Sequence, residues 1–265
     1  MTISESQLER YARHIILDEV GEEGQEKLLG AKVLVVGAGG LGAPVLLYLA
    51  AAGVGTLGVV DDDAVDLTNL QRQIVHATGH VGMAKVESAK RTLRSLNPEV
   101  RVIPRKERVD AGNAMALIAG YDLVVDGSDN FRTRYLLNDA CYFARVPLIS
   151  AALLRFDGQL STFKAYLEGD HPCYRCVFPE APPAGLIPRC EEAGILGAVA
   201  GAIGSLQAVE ALKELLGLGE SLSGSLIVYD GLSATFRKLK LHRAPNCALC
   251  GPQASIKSVS HHAAA

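Results

Sequence analysis

The sequence predicts an α/β fold, a mostly parallel sheet with helices on both faces that becomes mixed with antiparallel strands in its C-terminal part. Three observations carry this expectation. Short apolar runs rich in β-branched residues alternate with helical patterns from residue 32 to about residue 151, as parallel strands joined by helical crossovers do. A glycine-rich turn, Gly37-Ala-Gly-Gly-Leu-Gly42, stands between the first of these strands and its crossover helix. After residue 152 the chain reads as a hairpin around Asp157-Gly158, which reverses the strand direction.

The elements follow in order. Ser6 and Glu9 form a capping box, and Leu8, Tyr11, Ala12 and Ile15 recur at helical spacing, so an amphipathic N-terminal helix is expected. A buried-type strand at Lys32 to Val36, a helix over 41 to 52 and a strand at Thr56 to Val60 make a βαβ unit. Further strands are expected at Val100 to Ile103, Tyr121 to Asp126 and Pro147 to Ala151, with helices over 84 to 96, 112 to 119 and 131 to 144. The hairpin spans Leu153 to Tyr166. A proline-rich crossover, Pro179 to Pro188, leads to Cys190. An alanine-rich helix from Gly194 to Leu216 ends near Gly217 and Gly219, and two strands follow, Ser225 to Tyr229 and Ala234 to Leu241. The expected organisation is one domain over 1–252. It divides into an N-terminal helical arm (1–30), a nucleotide-binding half (31–152) and a half holding the mixed sheet, crossover loop and zinc knuckles (153–252), with a disordered tail over 253–265.

Composition narrows the function. With 49% apolar and 21% charged residues the chain can bury a large core, and a net charge of -3 offers no basic surface for nucleic acid or anionic lipid. The N-terminus mixes both charge signs without the apolar stretch of a signal peptide, so a cytoplasmic protein is expected. Val33 to Val60 has no charged residue and is long enough for a membrane span, but its glycines divide it into strand, turn, helix, turn and strand.

The glycine turn opens a helix, so its backbone amides and the helix dipole can receive a phosphate. Asp61 ends the next strand, where an acid commonly bonds a ribose hydroxyl. Together they make a Rossmann-like nucleotide site that does not by itself separate ATP from NAD. The polar cluster Asn69-Leu-Gln-Arg-Gln73, Lys85 at a helix start and Asp129 beyond a strand end favour phosphoryl chemistry over hydride transfer. Arg72 and Lys85 can neutralise charge as pyrophosphate leaves, and Asp129 can hold magnesium.

Six cysteines sort into three roles. Cys173-Tyr-Arg-Cys176 and Cys247-Ala-Leu-Cys250 are paired knuckles suited to tetrahedral zinc, a four-cysteine staple between the end of the chain and its middle. Disulfides, the alternative, are disfavoured in a reducing compartment. Cys141, in a helical apolar setting, reads as a small core hydrophobe. Cys190 follows the crossover and could present a thiol to an activated acyl group, although the adjacent Glu191 and Glu192 disfavour its thiolate.

These motifs resemble the family of MoeB and ThiF, bacterial relatives of ubiquitin-activating enzymes, over residues 5 to 252. The residues that carry the likeness are Arg10-Tyr-Ala-Arg13, Gly37-Ala-Gly-Gly-Leu-Gly42, Asn69-Leu-Gln-Arg-Gln73, Lys85-Val-Glu-Ser, Asp126-Gly-Ser-Asp-Asn130 and the two C-x-x-C pairs. The resemblance implies a homodimer that binds Mg-ATP and adenylates the C-terminal glycine of a ubiquitin-like sulfur carrier such as MoaD or ThiS, releasing pyrophosphate, with sulfur supplied by other proteins. By position it gives Gly37, Gly39, Gly40, Gly42 and Asp61 to the nucleotide. Asn69, Arg72 and Lys85 fall near ribose or phosphates, Leu70, Gln71, Gln73, Asp63 and Asn130 beside them, and Asp129 near magnesium. Arg13 would reach the phosphates of the neighbouring subunit. No rhodanese extension follows the zinc knuckles, so the chain is not expected to transfer sulfur by itself. Phe178-Pro-Glu-Ala-Pro-Pro and Cys190-Glu-Glu-Ala-Gly look more like MoeB, hence a MoaD-like carrier of molybdopterin biosynthesis; Asp61-Asp-Asp63 looks more like ThiF, hence the ThiS alternative of thiamin biosynthesis. An NAD-dependent oxidoreductase and a non-catalytic scaffold are the more distant readings.

Overall fold

The computed structural model describes residues 3–183 and 193–264. Its parallel strands are β1 (Lys32–Val36), β2 (Thr56–Val60), β3 (Arg101–Arg105), β4 (Leu123–Asp126) and β5 (Leu148–Leu154), followed by antiparallel β6 (Asp157–Phe163), β7 (Ser225–Asp230) and β8 (Thr235–Lys240). They lie side by side in the order β3-β2-β1-β4-β5-β6-β7-β8. The expected mixed sheet is therefore present, with parallel pairing giving way at β5.

Helices α1 (Glu5–Ile15), α2 (Gly21–Gly30), α3 (Gly42–Ala51), α4 (Lys85–Leu96), α5 (Ala114–Ile118), α6 (Phe131–Ala144), α7 (Tyr174–Val177) and α8 (Gly197–Leu216) account for the α part. The period of two along a strand sorts them onto two faces. Val33 and Val35 join a core with Leu28, Leu46, Leu49, Leu93 and Ile203 from α2, α3, α4 and α8. Leu34 and Val36 point the other way, to Ile118, Tyr135, Leu136 and Leu137 from α5 and α6. Both faces of β1 are thus dry, which is why its sequence reads as a continuous apolar run rather than an alternating one. Among the described residues no helix is long and apolar enough to cross a membrane.

The strand order reverses between β1 and β4, and a crevice opens beyond the carboxyl ends of these two strands. Helix α8 packs behind it. A Cβ on Gly204 would lie 2.4 Å from Pro44 Cγ and 2.5 Å from the Leu41 carbonyl, so glycine there brings α8 against the start of α3, directly behind the glycine turn.

Three local expectations are corrected. The capping box of α1 is Ser4 with Gln7 rather than Ser6 with Glu9, because the Gln7 side-chain amide accepts the Ser4 N–H at 3.0 Å and Ser4 Oγ accepts the Gln7 N–H at 3.3 Å. The β5–β6 turn is Arg155-Phe156 rather than Asp157-Gly158: Leu154 pairs with Asp157, and Arg155 takes the positive φ of 54°. Gly158 instead lies inside β6, where a Cβ would meet Ile203 Cγ1 at 2.4 Å, so this glycine serves packing and not the turn. The tail, expected to be disordered, holds a 3-10 helix over Val259–Ala264, and its His262 Nε2 lies 2.8 Å from Asp139 Oδ2 in α6.

Candidate active site

The glycine turn follows β1 and is closed by backbone approach. Gly37 has φ 94° and no room for a Cβ, which would fall 2.7 Å from the Gly127 carbonyl at the end of β4; a Cβ on Gly42 would fall 1.8 Å from the Gly37 carbonyl. Glycine at 37 lets the loops after β1 and β4 touch, and glycine at 42 lets the turn fold back on itself. Asp61, at the end of β2, ties the turn down: its Oδ2 accepts the Ala38 N–H at 2.8 Å and its Oδ1 accepts the Asp63 N–H at 2.9 Å. Burial raises the Asp61 carboxyl, while Lys85 and these two amides pull it back.

A cleft of about 230 Å³ lies over the turn. Gly37, Gly39 and Gly40 form one wall, Asp61 and Asp63 another, and Arg72, Gln73 and Lys85 a third, with Asp129 and Asn130 at the rim. Lys85 Nζ pairs with Asp63 Oδ2 at 2.7 Å. Asn69, Leu70 and Gln71 do not line the cleft. They build the bend that does, since the Asn69 carbonyl accepts the N–H groups of Arg72 at 3.1 Å and Gln73 at 3.0 Å. Gly42 stands behind the wall at the start of α3, and Arg13 lies on the exposed side of α1, away from the cleft of its own chain. Cys190 lies outside the described residues.

The loop carrying Asp129 is held from below. Asp126 is fully buried, and its carboxylate accepts Ser128 N–H at 3.0 Å, Ser128 O–H at 2.6 Å and Ser150 O–H at 2.9 Å, with Arg134 Nε at 3.4 Å. Arg134 Nη2 also donates to the carbonyls of Ser128 at 3.1 Å and Ala151 at 3.2 Å, and Gln207 of α8 donates to the Asp126 carbonyl at 2.9 Å. Asn130 caps α6 by accepting the Thr133 N–H at 2.9 Å. Asp129 is left exposed at the rim without a hydrogen-bond or ion-pair partner among the described residues, a hard-oxygen donor of the kind that suits magnesium beside phosphates. Sequence reasoning missed Arg134, Ser150 and Gln207. They come from three separate elements, so no local spacing joins them to Asp126.

A second cavity of about 690 Å³ shares Arg108, Asp129, Asn130 and Leu153 with the first and continues over β5 and β6 toward Pro182 and Pro183. The glycine-turn cleft therefore opens sideways into a longer groove. Arg108 stands at the junction, and only its place on the loop after β3, at the carboxyl edge of the sheet, could have signalled it.

Far from the cleft, the two C-x-x-C knuckles meet. Cys173 and Cys176 Sγ are 3.8 Å apart, Cys173 and Cys247 3.5 Å, and Cys176 and Cys250 3.4 Å, with all four ligand atoms within 4.8 Å of one another. A tetrahedron with Zn–S near 2.3 Å needs S···S of roughly 3.8 Å, so the four thiols fit zinc with little adjustment. Cys141 is buried among apolar side chains, and desolvation pushes its thiol far above the ordinary range.

The model of the ThiF family matches residues 11–249. The SAMP-activating enzyme E1 of Haloferax volcanii is 53% identical over 251 residues, covering 95% of this chain and 92% of that protein. The sulfur carrier protein adenylyltransferase of Thermus thermophilus is 51% identical, covering 96% of this chain and 94% of that one. The adenylyltransferase and sulfurtransferase MOCS3 of Sus scrofa is 47% identical over 98% of this chain, which spans 57% of that longer protein. Among solved structures, E. coli MccB with ATP superposes with a TM-score of 0.75 at 25% identity, covering 94% of this chain and 75% of that one. Matched by the family model over nearly its whole length, and by relatives more than half identical, the chain belongs to the ThiF family.

Proposed function

We propose that the protein uses Mg-ATP to adenylate the C-terminal glycine carboxylate of a ubiquitin-like sulfur-carrier protein, releasing pyrophosphate. The observation that carries this reading is the continuity of the glycine-turn cleft with the groove over β5 and β6 through Arg108, Asp129, Asn130 and Leu153. One chamber suits a nucleotide. The other suits an extended peptide tail whose end reaches the phosphates. The names of the relatives, a sulfur carrier protein adenylyltransferase and a SAMP-activating enzyme, agree with it.

The chain's own residues have distinct tasks. The amides of the glycine turn and the start of α3 hold phosphate oxygens, and the Asp61 carboxylate keeps the turn in shape. A carboxylate oxygen of the carrier bonds to the α-phosphorus as the bond to the β-phosphate oxygen breaks. Arg72 and Lys85 face the charge that gathers on the departing pyrophosphate, and Asp129 would hold magnesium, which supplies further neutralisation when bound. No enzyme nucleophile is needed. Zinc on Cys173, Cys176, Cys247 and Cys250 would be structural, since four thiolates leave no open position. A homodimer in which Arg13 enters the neighbouring site completes the proposal, as does a MoaD-like carrier in preference to a ThiS-like one. An NAD-dependent oxidoreductase fits less well, because a cleft lined by Arg72 and Lys85 matches phosphate better than a flat nicotinamide ring. The deciding experiment is ATP/pyrophosphate exchange with carriers ending in Gly-Gly. Carrier-dependent exchange is expected, and its absence across MoaD-like and ThiS-like carriers with folded, magnesium-supplied protein would refute the reading.

A further inference from the structure

Beneath the glycine turn lies a chain of polar groups, buried except at its half-buried end His80, that lines neither cavity. His76 Nε2 is 2.9 Å from the Ala38 carbonyl oxygen, His76 Nδ1 is 2.8 Å from Ser88 Oγ, and His80 Nδ1 is 2.8 Å from the same hydroxyl. His76 is 7% exposed and Ser88 is fully buried in α4.

The proton positions follow from what each atom can do. A carbonyl oxygen only accepts, so Nε2 of His76 carries hydrogen. A neutral imidazole has one such hydrogen, so Nδ1 of His76 accepts, and the Ser88 hydroxyl donates to it. That uses the only hydroxyl proton of Ser88, and its oxygen then accepts from Nδ1–H of His80. Every donor in the chain has one acceptor and the direction is unique. Protonating His76 would reverse it, but burial, aided by Lys85 and His80, lowers this imidazole to about 4, so it is neutral at ordinary pH.

The consequence reaches the cleft through one peptide plane. The C=O and N–H of a trans peptide point in opposite directions. The carbonyl of Ala38 is drawn inward to His76, so the N–H of the same peptide, that of Gly39, points outward. Gly39 lines the cleft, and its N–H finds no acceptor among the described residues. On its other side Ala38 is fixed as well, by its N–H on Asp61.

We infer that His76 is a positioning residue of the nucleotide site, holding the Ala38–Gly39 peptide so that the Gly39 amide is aimed at a phosphate oxygen, with Ser88 and His80 selecting the tautomer that can do this. The inference rests on the nucleotide part of the function proposed above and names a group that acts through the backbone without touching the ligand.

Two measurements on the full-length protein test it. Long-range proton–nitrogen spectra of unliganded protein carrying nitrogen-15 histidine read the tautomers directly: His76 should be protonated at Nε2 and His80 at Nδ1, and in Ser88→Ala the His76 preference should relax. His76 found protonated at Nδ1 near neutral pH overturns the inference whether or not the protein binds ATP. ATP affinity is read separately by calorimetry. His76→Phe, which keeps an aromatic ring and removes the donor, should bind ATP roughly tenfold more weakly, the scale of one charge-assisted hydrogen bond. His76→Gln, which can donate to the same carbonyl, should stay within about threefold of the parent. A folded His76→Phe with unchanged ATP affinity, or a His76→Gln as weak as His76→Phe, also overturns it. Should His76→Phe fail to fold, the tautomers of the parent and of Ser88→Ala still decide. If the parent itself binds no ATP, the proposed function fails, while the spectra still report on the hydrogen-bond chain.

Discussion

Lys85 Nζ lies 2.7 Å from Asp63 Oδ2 at the mouth of the glycine-turn cleft, with the lysine side chain 7% exposed and the aspartate 65%. The pair is lopsided: the lysine is the buried, held partner and the aspartate is the one that can swing into solvent. On the proposed function, the ammonium exchanges Asp63 for the phosphates of ATP at little cost. Lys85→Ala is therefore expected to lower ATP/pyrophosphate exchange by about 10²-fold or more, the scale of a lost transition-state charge contact. Asp63→Ala should stay within about tenfold of the parent, since the ammonium it holds is still present. Equal losses in the two variants would mean that Lys85 acts through the ion pair rather than on the phosphates.

The buried pair below the Asp129 loop makes a stability prediction. Arg134 and Asp126 are 7% and 0% exposed and share hydrogen bonds with Ser128, Ser150 and Ala151. Removing one partner leaves a charge in a dry place, which typically costs about 3–5 kcal/mol. Asp126→Ala should lower the unfolding free energy from urea titration by an amount in that range. A loss below about 1 kcal/mol, the scale of a solvent-exposed pair, would mean that water reaches Arg134 and the loop is less closed than the hydrogen bonds imply.

Metal removal should loosen the C-terminal part. Zinc is expected in the protein as purified, and chelation or Cys250→Ala should lower the melting temperature, because the four sulfurs join α7 and its N-cap to the chain after β8. Stoichiometric zinc whose removal leaves the melting temperature unchanged would show that the staple carries no folding energy. Protein isolated anaerobically without zinc would remove the site altogether.

If Arg13 serves the neighbouring subunit, two dead variants should complement. Mixed Arg13→Ala and Asp129→Ala protein is expected to recover part of the exchange activity, since one site in a mixed dimer keeps both residues. Mixed dimers that form without recovery would place Arg13 outside the active site.

Cys190 distinguishes carboxylate activation from the later transfer of sulfur. Attack of the carrier carboxylate on ATP needs no enzyme acyl group, so Cys190→Ala should exchange pyrophosphate within a few-fold of the parent. Thiocarboxylate formation is the step at which a thiol can act, by capturing the acyl group as a thioester with release of AMP, or by forming a mixed disulfide with a persulfide-carrying partner. Loss of exchange in folded, zinc-bound Cys190→Ala would put this cysteine in the first step instead.

Much of the site was legible from local pattern. The strand, glycine turn and helix from residue 32 to 51, Asp61 at the next strand end and the two cysteine knuckles each lie within a few residues, where steric demands and ligand spacing act directly on residue type. Gly37 and Gly42 had to be glycine for reasons the sequence shows only as a motif and the backbone shows as approaches of 2.7 Å and 1.8 Å that no Cβ can make. The switch to antiparallel pairing was also legible, but its turn was displaced. Asp157-Gly158 has good turn chemistry, yet Ile203 of α8 needs Gly158 inside the strand, and a contact so distant in the chain outweighs local preference.

What only the tertiary structure decided are the partnerships across elements. His76 with Ala38, Arg134 with Asp126 and Gln207 with the Asp126 carbonyl join residues from different loops, strands and helices, and nothing in the local sequence of one names the other. Residue types encode short-range geometry because the chain must satisfy it within a turn or two. Which buried donor meets which buried acceptor depends on how whole elements pack, where each polar group left without a partner is costly and the first satisfactory partner can come from anywhere in the chain.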